Sequence, residues 1–151
     1  MNKSWIANGF TAANALFGGL SIMMSISGEY HVAAICILIA MAADAFDGRV
    51  ARALGTAGPM GVELDSLSDD ISFGVAAGAL MYSYQLRELG ALGFIPCALL
   101  GAFCAFRLAR FNVKVTSVHG YFEGLPCPTV GVIIACYVLS EIGRASCRER
   151  V

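Results

Sequence analysis

The sequence predicts an all-α polytopic membrane helix bundle, and three observations carry that prediction. Apolar runs of helix length follow one another with only short polar turns between them. Charged residues make up 14% of the 151-residue chain and hydrophobic residues 58%, where a soluble domain carries about 25% charged residues. The apolar residues recur with a helical period, and no stretch alternates as a strand does. The formal charge of -1 is too small to imply a nucleic-acid partner. Cys36, Cys97, Cys104, Cys127, Cys136 and Cys147 fall mostly inside apolar runs and never as Cys-x-x-Cys. They read as small buried hydrophobes, with no zinc site or disulfide framework signalled. The start of the chain carries one lysine and no small-residue cleavage site, so no cleaved signal peptide is expected.

The first helix is predicted over about residues 5–27. Thr11 and Asn14 lie three apart on one face, and Gly18 and Gly19 permit close helix contact. A turn at 27–30 leads to a second helix at about 31–54, with Asp44 and Asp47 near its far end. Residues 55–59, rich in glycine and ending in proline, break it. A third helix is expected at about 61–84, a turn at 85–90, and a fourth helix at about 91–110. A polar link, FNVKVTSVHGYFEGLPCP, precedes a fifth helix that begins after Pro128. Tyr30, Tyr82 and Tyr84 read as interfacial belt residues.

The apolar run from 129 to 140 is short against the roughly 20 residues a membrane helix needs. The tail that follows, EIGRASCRERV, departs abruptly in composition, and the codons it permits resemble read-through into a sequencing adapter. The expected division is therefore a membrane domain at 1–140, truncated at its C-terminus, and a non-native tail at 141–151. If the helices alternate across the membrane, Lys3, Arg49, Arg52, Arg107, Arg110 and Lys114 fall on one side and Arg87 on the other. That bias orients the first side, with all the aspartates of the 44–69 stretch, toward the cytoplasm.

That stretch, DAFDGRVARALGTAGPMGVELDSLSD, is the chemical centre of the chain. Asp44 and Asp47 are three apart and Asp65 and Asp69 four apart, so each pair shares a helix face. Carboxylates at membrane helix ends are costly unless paired or metal-bound. Four brought together would repel one another, and a pair of hard divalent cations, Mg²⁺ or Mn²⁺, removes that conflict. Two such ions can clamp a diphosphate and stabilise charge on its leaving group. Arg52 adds a guanidinium fork for phosphate oxygens, and Gly48 and Gly61 leave room for a ligand near the backbone. One carboxylate could take a proton from an attacking hydroxyl. A proton or cation pathway is the competing reading. The compact two-helix clustering, with Arg52 and the glycines beside it, favours phosphate chemistry.

The pattern Asp44-x-x-Asp47-Gly48-x-x-Ala51-Arg52, then Gly61-x-x-x-Asp65-x-x-x-Asp69, resembles the full signature of the CDP-alcohol phosphotransferase family. The resemblance extends over about residues 11–130. It implies a helical membrane enzyme with a core of six or more helices, about five of them present here, and often a dimer. Such an enzyme binds a CDP-linked lipid through divalent metals, and an acceptor hydroxyl displaces CMP. Carried over by position, Asp44, Asp47, Asp65 and Asp69 are metal ligands, with Asp69 also the general base. Gly48, Ala51, Arg52 and Gly61 are the cytidine diphosphate cradle, joined by Thr11 and Asn14 from the first helix. LDSLSDDISFG, RLARFNV and YFEGLPCP are similar to the prokaryotic branch that joins CDP-diacylglycerol to L-serine. Glycerol phosphate and inositol phosphate are the alternative acceptors within the family. Arg107, Arg110 and Asn112 are candidates to hold the serine carboxylate or a lipid phosphate, and membrane anchoring is their other reading.

Overall fold

The computed structural model describes residues 4–54, 58–114 and 126–148, with the side chains of 4–7, 51–54, 59, 114, 146 and 148 outside that description. Every element among the described residues is helical. Helix α1 (Ser4–Ile26) turns at Gly28, whose φ of 85° suits glycine, into α2 (Tyr30–Leu54). Helix α3 (Pro59–Asp69) opens on a proline in its first turn, where the missing N–H costs no helical bond. It passes without a break into a π-helical segment (Asp70–Val75) and then α4 (Ala76–Tyr84). A 3₁₀ turn (Leu86–Leu89) and Gly90, at φ 57°, lead to α5 (Ala91–Lys114). The last helix is α6 (Cys127–Arg148).

Four stretches are long and apolar enough to cross a membrane: Asn8–Ile26, Tyr30–Val50, Ala91–Val113 and Cys127–Ala145. The run of α3, the π segment and α4 makes the fifth column of the expected bundle. One expectation is corrected. The run at 129–140 looked too short to span, yet α6 starts at Cys127 and continues to Arg148. Pro128 sits in its first turn, where proline is tolerated, and Glu141 and Arg144 pair at 3.1 Å one turn apart near its end. The expected polar link is shorter too, because α5 runs on to Lys114; residues 115–125 lie outside the description.

Small residues set the packing, as they must where lipid removes the hydrophobic drive between helices. Ala33, Ala34, Ile37 and Ala40 of α2 meet Phe73, Ala77 and Leu80, with Ala135 and Val138 of α6 completing the core. A Cβ on Gly131 would lie 3.0 Å from the Phe73 Cα, and one on Gly78 would lie 2.8 Å from the Cys97 carbonyl oxygen. A Cβ on Gly18 would lie 2.9 Å from the Ser72 Cα, whereas one on Gly19 would meet nothing within 4 Å. Of the two glycines, only Gly18 makes a close approach. Leu16, Met23, Ile26, Phe103 and Phe106 point outward, as lipid-facing side chains do. Tyr30 packs edge-on to Tyr84 and Tyr82 stacks on Phe94, so these aromatics gather at one end of the bundle. Asp44 lies fourteen residues further along α2, about 21 Å away at the helical rise.

Candidate active site

Helix α2 presents Asp44 and Asp47 on one face because they are three residues apart, and α3 presents Asp65 and Asp69 because they are four apart. The structure brings the two faces together. Asp44, Asp47 and Asp65 each offer one carboxylate oxygen, and these oxygens all lie within 4.8 Å of one another. Asp69 stands beside that group, its carboxyl neighbouring that of Asp44. Two carboxyl groups at that range must share a proton or a cation. Asp47 and Asp69 are buried, 5% and 8% exposed, while Asp44 and Asp65 are half-buried.

The donor set suits a hard divalent cation. Asp47 Oδ2 and Asp65 Oδ1 are buried with no hydrogen-bond partner, a costly condition for carboxylate oxygens unless a cation occupies the space between them. Oxygen-only donors favour Mg²⁺ or Mn²⁺ over softer metals. The fit is clearest for the three-carboxylate group; Asp69 joins it through Asp44.

Both polar residues of α1 singled out in the sequence face this cluster. Thr11 of α1 and the Gly48 backbone lie beside the Asp47 carboxylate and interact with it. Asn14 Nδ2 donates to Asp69 Oδ1 at 3.0 Å. Gly61 has open space beside it: a Cβ there would come no nearer than 3.9 Å to Asn8 Oδ1. Ala51 and Arg52 lie in α2, with their side chains outside the description.

The proposed acceptor residues are spread along the end of α5. Asn112 Nδ2 donates to Ser66 Oγ at 3.0 Å, tying α5 to α3 one residue after Asp65. Arg107 is half-buried and donates to Cys127 Sγ at 3.6 Å, so it faces α6. Arg110 is exposed.

Two contributors were not legible in the sequence. Ser66 anchors Asn112, and Ser72 in the π segment donates to the Asn14 carbonyl oxygen at 2.9 Å. The signal for Ser72 was its spacing of three from Asp69, which nothing distinguished from the other serines of LDSLSDDISFG.

Residues 4–146 match the family model described as CDP-alcohol phosphatidyltransferase. The chain is 38% identical over 135 residues to a CDP-diacylglycerol–serine O-phosphatidyltransferase of Helicobacter pylori, covering 89% of this chain and 57% of that one. It is 37% identical to the Bacillus subtilis protein of the same name, over 82% of this chain and 70% of the relative. An archaetidylserine synthase of Methanothermobacter thermautotrophicus is 40% identical over 84% of this chain and 54% of its own length. The chain thus spans between about half and 70% of the length of these relatives. No solved structure matches it.

Proposed function

The chain belongs to the CDP-alcohol phosphatidyltransferase family, and on that premise we propose that it transfers a phosphatidyl group from CDP-diacylglycerol to L-serine, releasing CMP. The observation that carries the proposal is the meeting of Asp44, Asp47 and Asp65 oxygens within 4.8 Å, with Asp69 alongside. The serine acceptor is supported by the names of the three relatives, two of them CDP-diacylglycerol–serine O-phosphatidyltransferases and one an archaetidylserine synthase.

Asp44, Asp47 and Asp65, joined by Asp69, would hold divalent metal, most simply two ions. When bound, the metal supplies charge stabilisation for the diphosphate and the departing CMP. The protein's own residues do the rest. Gly61 leaves the approach to the backbone open for the nucleotide, Gly48 adjoins Asp47 in the same cradle, and Arg52 is placed in sequence to grip phosphate oxygens. Thr11 orients the Asp47 carboxylate. Asp69 accepts the proton of the acceptor hydroxyl; that oxygen bonds to the phosphorus carrying the diacylglycerol, and the anhydride bond to CMP breaks. Arg107, Arg110 and Asn112 lie where α5 leaves the bundle, and arginine forks there suit the serine carboxylate. On the positive-inside bias the site faces the cytoplasm, at a prokaryotic cell membrane, and, as the family resemblance implies, the full-length protein works as a homodimer.

The test is CMP release from vesicles holding the chain and CDP-diacylglycerol with Mn²⁺, comparing serine, glycerol phosphate and inositol phosphate. Release with serine alone is expected. Release only with another alcohol would remove the serine assignment, and ion flux without CMP release under any acceptor would favour a transporter.

A further inference from the structure

A buried polar chain reaches Asp69 from outside the carboxylate group. Ser72 is 0% exposed, and its hydroxyl donates to the Asn14 carbonyl oxygen at 2.9 Å. Asn14 is also 0% exposed, and its Nδ2 donates to Asp69 Oδ1 at 3.0 Å. A carboxylate only accepts, so this contact fixes which end of the amide faces Asp69. The other end, Asn14 Oδ1, is buried without a partner.

The backbone around this chain leaves little freedom. Gly18 lies one helical turn after Asn14, and a Cβ there would come 2.9 Å from Ser72 Cα and 3.1 Å from Ser72 Cβ. Helix α1 is thus pressed against the π segment at the residue that makes the bond. The π segment begins at Asp70, immediately after Asp69. Asp69 and Ser72, three residues apart across this junction, both bond to α1 through Asn14, and such local widenings gather at functional sites.

We propose that Ser72 and Asn14 are positioning residues for the activation of the acceptor. They hold the Asp69 carboxylate in the direction from which it takes the hydroxyl proton. The inference rests on Asp69 being the proton acceptor, and it is indifferent to which alcohol is used. It also divides the labour on α1: Thr11 serves Asp47 among the metal ligands, and Asn14 serves the base.

The experiment is a double-mutant cycle on Mn²⁺-dependent CMP release, run with whichever alcohol the wild type accepts, so that failure of serine and failure of this proposal read separately. Ser72→Ala and Asn14→Ala should each lower kcat by about 10–100-fold, the cost typical of losing an orienting partner. The KM for CDP-diacylglycerol should stay within about twofold, which would take Asn14 out of the nucleotide cradle that the family resemblance implies for it, and Mn²⁺ binding, followed by the EPR signal of the free ion, should be kept. The double variant should be no slower than Asn14→Ala alone, because one residue acts through the other. Ser72→Cys, which retains a weak donor, should fall between serine and alanine and covers the case in which Ser72→Ala does not fold. Fully multiplicative losses would overturn the proposal. So would Mn²⁺ binding that falls in step with kcat, or a raised KM for the CDP-lipid with kcat unchanged.

Discussion

Asn14 Nδ2 and Asp69 Oδ1 meet at 3.0 Å across 55 residues of sequence, joining the first helix to the end of α3. Asp69 therefore faces two kinds of neighbour. Asn14 holds one oxygen, and the carboxyl of Asp44 approaches from the metal-binding side. That asymmetry separates a ligand role from a proton-accepting role within a single cluster.

Asp69→Asn keeps size and polarity and removes the base. Turnover should fall by roughly 10²–10⁴ while Mn²⁺ and CDP-lipid binding persist. Loss of CDP-lipid binding alongside turnover would show Asp69 to be chiefly a ligand. Single-turnover CMP release beside a binding isotherm separates the two.

Thr11→Val removes the hydroxyl that orients Asp47 and keeps the shape of the side chain. Metal affinity should drop by roughly 10–100-fold, the usual range for loss of an outer partner of a ligand. Turnover at saturating Mn²⁺ should recover most of the wild-type rate. A rate that stays low at any Mn²⁺ concentration would assign Thr11 to the substrate instead.

Gly18→Ala and Gly19→Ala form a matched pair. A Cβ at Gly18 runs into the Ser72 backbone, and one at Gly19 meets nothing within 4 Å. The first should destabilise by about 1–3 kcal/mol, the range for overpacking. The second should be neutral or stabilising by up to about 1 kcal/mol, the helix-propensity gain of alanine. Thermal unfolding in detergent reads both, and equal effects would contradict the α1 crossing described here.

Arg110→Lys keeps the charge and loses the planar fork. The serine requirement should rise strongly, with CDP-lipid affinity changed far less. Unchanged serine kinetics would leave Arg110, which is exposed on α5, as a membrane anchor.

Much of this was legible because helix geometry is simple. Spacings of three and four fixed which aspartates share a face, and apolar runs fixed where most helices begin and end. Gly18 announced a close crossing, although its neighbour Gly19 carried the same signal and makes none. The π segment was hidden because DISFGV differs in no periodic way from an α-helical stretch. Its register depends on α1 and α5 packing against it. Ser72 and Ser66 were hidden for a related reason: a serine reports its partner only once another helix arrives. The length of α6 was misjudged because composition changes at Ser140 while the backbone keeps its helix through Arg148.

The central claim is that the aspartates of α2 and α3 form one divalent-metal site. EPR of Mn²⁺ added to the reconstituted chain with CDP-diacylglycerol tests it most directly. The account predicts saturable binding of two ions per chain with a spin-coupled spectrum, abolished by Asp44→Asn with Asp65→Asn. Binding that survives that double substitution, or no saturable binding to the wild type, would contradict it.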